Sequence, residues 1–147
     1  MPILDTGIRA VANRMPKVIS PETHAVLDYI TAGGFLLGAA LFWANHRRAA
    51  VASLACGLAE LGTTMTTDFP GGVTPAMSFQ THGKIEGGLA ATCGLLPMLM
   101  MFGDDPRAYF FRGMALNLTT VAALTDWDAP TGTRSERRRS RLDRRTA

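Results

Sequence analysis

Two stretches of the chain, 30–43 and 87–102, are apolar and contain no charged side chain. A helix on the surface of a soluble protein repeats a polar stripe every three or four residues, and neither stretch does. Start and stop signals extend the pattern to four helical spans. Ser20 is a hydroxyl N-cap, and Pro21 suits the first turn, where a missing N–H costs nothing. Span 21–44 follows, then 47–66. Ser78 opens span 79–102 in the same way, and 106–125 is the fourth. Each is long enough to cross a bilayer, which needs roughly 20 residues. The connectors Asn45-His46 and Gly103-Asp104-Asp105 are tight and force two antiparallel hairpins, whereas the middle connector, 68–75, is rich in Pro and Gly and belongs outside the hydrocarbon. The expected fold is all-α, a membrane four-helix bundle.

The polar positions repeat. Thr23-His24 with Asp28 returns 58 residues later as Thr81-His82 with Glu86, Ser20 returns as Ser78, and Thr67-Asp68-Phe69 returns as Thr125-Asp126-Trp127. Several matches in one register imply a tandem duplication of a two-helix hairpin, with repeats at about 20–70 and 78–128 of a membrane domain 20–128. Segment 1–19 is read as an amphipathic or disordered N-terminal segment. Ile3, Leu4, Ile8, Val11 and Met15 share one helical side, and Asp5, Arg9, Arg14 and Lys17 interrupt any signal-peptide core.

Charge adds a topology. The mean hydropathy of +0.11 averages an apolar domain with a basic tail, 129–147, which holds seven arginines. Without interleaved aromatics that tail predicts contact with anionic lipid headgroups and no nucleic-acid partner. Eleven Lys and Arg fall on the side of the termini and the middle connector, and four (Arg47, Arg48, Arg107, Arg112) on the other. Both termini are therefore expected in the cytoplasm, on a multi-pass protein of the inner membrane. Trp43 and Trp127 fall at opposite faces, as interfacial aromatics do. Cys56 and Cys93 form no metal-binding spacing and read as buried thiols. Gly34 and Gly38 make a GxxxG, which permits close helix approach.

Parallel repeats bring His24, Asp28, Asp68, His82, Glu86 and Asp126 to the same membrane face. His and acid at i and i+4 share a helix side. The plain reading is a structural clamp, in which each imidazole bonds its own acid or the neighbouring hairpin's Asp and ties the hairpins together. The alternative is a site for a metal ion (Zn, Fe or Mn), a haem, a proton or a small ligand, with His24 and His82 the candidate metal ligands. No cofactor is required by the sequence. Glu60 is a lone intramembrane acid whose counterpart is Leu118; its alternatives are proton transfer, snorkelling and a hydrogen bond to Asn117 across the bundle. Pro97 is expected to kink the third span.

His24-Ala-Val-Leu-Asp28-Tyr29, Thr67-Asp68-Phe69-Pro70-Gly71-Gly72 and His82-xxx-Glu86 resemble motifs of small bacterial membrane proteins of the SPW-repeat type, over about residues 16–128. The Ser-Pro-Trp that names those proteins is absent, with Phe42-Trp43 and Leu96-Pro97 near its places. The resemblance implies a membrane location and paired two-helix units, and no established reaction. Together the residues predict a non-enzymatic membrane protein with a structural, accessory or complex-assembly role, partnered by the bilayer and by copies of itself or a larger complex.

Overall fold

The computed structural model describes residues 15–132. The N-terminal stretch 1–14 and the arginine tail from 133 onward lie outside the described residues. Within them the chain forms four helices: α1 Pro21–Phe42, α2 Arg47–Thr66, α3 Phe79–Leu99 and α4 Ala108–Leu124. The serine caps act as expected, Ser20 Oγ accepting from Thr23 N–H at 3.3 Å and Ser78 Oγ from Thr81 N–H at 3.2 Å. His46 caps α2, its Nδ1 accepting from Ala49 N–H at 3.1 Å. Its proton therefore sits on Nε2, which faces Asp105 Oδ2 at 3.6 Å and links the two hairpin connectors. The Arg107 backbone N–H, with its guanidinium, holds the Asp105 carboxyl below its ordinary pKa. Whatever stability this contact adds is present above the ordinary pKa and fades as pH falls through the lowered one.

Three helices are shorter than the sequence pattern suggests. α1 stops at Phe42, α3 stops at Leu99, and α4 spans 17 residues starting at Ala108. Pro97 lies in the last turn of α3 and ends the helix where a mid-span kink was expected. Phe102 N–H returns to Pro97 C=O at 2.8 Å, and Met101 takes a left-handed φ of 57° to make the reversal. Two helices, α1 and α2, are long and apolar enough to cross a membrane.

Helices adjacent in sequence are adjacent in space, and α4 closes back on α1, so α1 and α3 stand on one diagonal. The helix ends are knitted in two matching ways. Val18 and Ile19 N–H donate to Leu124 C=O, and Asp126 N–H donates to Ile19 C=O. Ala76 and Met77 N–H donate to Thr66 C=O, and Asp68 N–H donates to Met77 C=O. Adding or subtracting the 58-residue offset converts one set into the other. Each segment leading into a helix is thereby tied to the end of a helix from the other hairpin.

An apolar core fills one half of the bundle around Phe35, Phe111, Leu118 and the free thiols Cys56 and Cys93. Here the hairpins close tightly. Ser53 Oγ donates to Phe35 C=O at 2.6 Å, and at the equivalent place Cys93 Sγ donates to Phe111 C=O. Gly38 is what allows this, since a Cβ there would lie 2.7 Å from the Phe110 ring and 2.9 Å from Ser53 Oγ. Gly38→Val is predicted to cost about 1–3 kcal/mol by overpacking. Gly33→Ala, where nothing lies within 4 Å, should leave the thermal unfolding midpoint unchanged or higher. Paired melting curves decide it.

Candidate functional site

The other half of the bundle holds charge. His24 and Asp28 on α1, Glu60 on α2, and His82 and Glu86 on α3 are all buried. Each histidine lies one turn into its helix, and its acid follows one turn later on the same side. The diagonal placement of α1 and α3 turns both pairs toward the bundle axis, and Glu60 enters from α2.

Two threonines orient the imidazoles. His24 Nδ1 lies 2.8 Å from Thr125 Oγ1, and His82 Nδ1 lies 2.8 Å from Thr67 Oγ1. Each hydroxyl gives its single proton to a carbonyl one turn back, Thr125 to Val121 C=O at 2.7 Å and Thr67 to Thr63 C=O at 2.6 Å. A carbonyl cannot donate, so each threonine accepts from its histidine. Both imidazoles therefore carry a proton on Nδ1, which leaves Nε2 as the atom facing the centre.

The two Nε2 atoms are 3.4 Å apart. Asp28 lies between them, Oδ1 at 3.3 Å from His24 Nε2 and Oδ2 at 3.3 Å from His82 Nε2. Glu86 Oε2 is 3.5 Å from His24 Nε2. Imidazolium–carboxylate hydrogen bonds close to about 2.7–2.9 Å, shorter than any of these contacts. Ligands on one ion, each about 2.0–2.2 Å from it, stand about 3.3–3.5 Å from one another in a tetrahedron. Neither oxygen of Glu86 has a hydrogen-bond partner, nor does Glu60 Oε1, although each residue is only 1% exposed. Two groups place their donor atoms within 4.8 Å of one another: His24, His82 and Glu86; and Asp28, Glu60 and Glu86.

Aromatic rings close the site toward the helix ends. Phe79 meets the His24 ring edge-on at 5.3 Å, Trp127 meets it at 4.8 Å, and Phe69 lies 5.6 Å from His82. With Ala25 these rings form a second apolar cluster, so the polar layer sits between two apolar ones. Trp127 thus packs on a histidine where an interfacial position was expected. Trp43, at the far end, is exposed beneath the Arg47 guanidinium, 4.4 Å from the ring centre.

Of the residues singled out in the sequence, His24, Asp28, His82 and Glu86 meet, and Glu60 joins them. Asp68 and Asp126 stand half-buried at the end of the bundle, held through their backbone N–H groups. The contact expected of them belongs to the preceding residues, Thr67 and Thr125. Both threonines stand in the repeated Thr-Asp-aromatic motif, but only the extended backbone after each helix reveals which motif residue turns inward. Asn117 is not the partner of Glu60, since its Nδ2 donates to Thr31 Oγ1 at 2.9 Å. No family model, curated protein or solved structure matches the chain.

Thr67→Val keeps the volume and removes the acceptor for His82 Nδ1–H. It is predicted to destabilise the fold by about 1–3 kcal/mol, the cost of a buried donor left unpaired. Thr67→Ser should recover most of the loss. Chemical denaturation of the three proteins measures both effects.

Proposed function

We propose that the chain is a four-span membrane protein, built by tandem duplication of a helical hairpin, whose buried polar layer binds a divalent transition-metal ion. His24 Nε2, His82 Nε2 and Glu86 are its ligands, and Asp28 touches both imidazoles. The carrying observation is the pair of Nε2 atoms aimed at one another, each with its Nδ1 proton already committed to a threonine. Two lone pairs facing each other at that distance among carboxyls are satisfied by a cation held between them. A donor set of two imidazoles and carboxylates suits Zn, Fe or Mn. Thr67 and Thr125 then act as the outer partners that fix tautomer and ring angle. A haem fits this geometry less well, since two nitrogens across its iron stand about 4 Å apart with a porphyrin between them.

The inverted polarity of the bundle supports the membrane reading. The ionisable side chains of the polar layer point inward, while Val26, Ile30, Leu37 and Leu41 on α1, Leu95, Met98 and Leu99 on α3, and Leu116 on α4 face outward. Only 39% of the most apolar window of α1 is buried inside the bundle. A water-soluble fold seldom exposes such a surface. α4 is short for a span, and a bilayer accommodates this by thinning or by snorkelling of flanking residues such as Arg107 and Arg112. The excess of Lys and Arg places both termini in the cytoplasm, with the arginine tail against anionic headgroups. The resemblance to SPW-repeat proteins belongs to the same reading.

A second reading, the structural clamp, is favoured by the contacts that cross between hairpins, His24 with Thr125 and Glu86, and His82 with Thr67 and Asp28. Metal analysis separates the two. Protein purified without chelator should carry stoichiometric metal, and the His24→Ala/His82→Ala protein should bind it at least about 100-fold more weakly. A clamp gives no metal in either protein and only a lower melting temperature in the variant. The membrane assignment makes its own prediction: the chain stays in the pellet when membranes are washed at alkaline pH, and release into the wash would contradict it.

A further inference from the structure

Glu60 is not generated by the 58-residue pattern. His24 matches His82 and Asp28 matches Glu86, but the counterpart of Glu60 is Leu118, which is buried in the apolar core. An apolar side chain therefore suffices at that level of the bundle, and a carboxyl in its place calls for a separate reason. Glu60 Oε1 is buried without a hydrogen-bond partner. Asn117, the nearest expected donor from α4, is engaged with Thr31.

The group that gathers with Glu60 is made of carboxylates. Asp28, Glu60 and Glu86 bring carboxylate oxygens within 4.8 Å of one another, and Glu86 also belongs to the set with His24 and His82. Neither Glu86 oxygen has a hydrogen-bond partner, and Oε2 faces His24 Nε2 at 3.5 Å. We propose that Asp28, Glu60 and Glu86 form a second cation position beside the histidine-bound one, with the Glu86 carboxylate bridging the two ions. Carboxylate-bridged pairs stand about 3.5–4 Å apart, a spacing one carboxyl group can span. The inference rests on the metal reading of the histidine pair and extends it.

The two positions differ in chemistry. The first offers two imidazole nitrogens and accepts Zn, Fe or Mn. The second offers only carboxylate oxygens and favours a hard divalent ion such as Mn or Mg. Charge points the same way. If all three carboxyls give up their protons on metal binding, one divalent ion leaves an excess negative charge in a layer sealed by aromatic rings. A second divalent ion among the three acids answers that charge.

Manganese is the probe, because it fits both positions and reports proximity. The full chain, stripped with chelator in mild detergent, is titrated with Mn(II) and followed by bound-metal analysis and electron paramagnetic resonance. The parent should bind two ions per chain and show the spectrum of an exchange-coupled pair. Glu60→Gln should bind one, with the spectrum of an isolated ion. Glu60→Leu, which copies Leu118, should do the same and guards against a folding failure of the first variant. A parent that binds a single ion, unchanged by either substitution, overturns the second position and leaves the first standing. A parent that binds none overturns both.

Discussion

Burial of ionisable groups at the bundle centre is the constraint on which the rest of the structure depends. Two imidazoles and three carboxyls occupy one layer, cut off from water by aromatic rings on one side and by the Phe35–Phe111 core on the other. Moving such groups out of water is costly unless they compensate one another. The threonines take the Nδ1 protons, which leaves both Nε2 atoms facing the Asp28 carboxyl. The serine caps, the extended residues after α2 and α4, and the crossed backbone hydrogen bonds all serve to present these two atoms to one point.

The same constraint accounts for the hairpin arrangement. An i, i+4 His–acid pair lies on one side of one helix and cannot surround anything by itself. Placing α1 and α3 on a diagonal turns two such pairs face to face, and each hairpin supplies the threonine that orients the other hairpin's histidine. Neither hairpin contains a complete set. Burying these groups apart would strand charge in each, which gives a physical reason for the two to close on one another.

Much of this was legible in the sequence. The all-helical fold and the two hairpins follow from the serine caps, the charge-free stretches and the tight connectors. The repeated His-xxx-acid motif marked four of the five groups now found together, and the interruption of an apolar span marked Glu60. Other features were not legible, for identifiable reasons. Whether Thr67 or Asp68 turns inward depends on the backbone angle after the last helical turn, and a shift of one residue exchanges the hydroxyl for the carboxylate. Asn117 and Glu60 stand at similar heights, but pairing needs a lateral position that only packing fixes, and Thr31 takes the amide. The helix ends were overestimated because apolar residues continue past Leu99 into a turn set by Pro97 and Met101.

The decisive measurement for metal at the histidine pair is X-ray absorption at the metal edge on protein purified from membranes. A metal held as proposed gives a first shell of nitrogen and oxygen at about 2.0–2.2 Å, with the outer scattering of two imidazole rings. That ring scattering should be halved in His82→Ala. A metal shell without imidazole scattering, or protein of native stability carrying no metal at all, would contradict the proposed site.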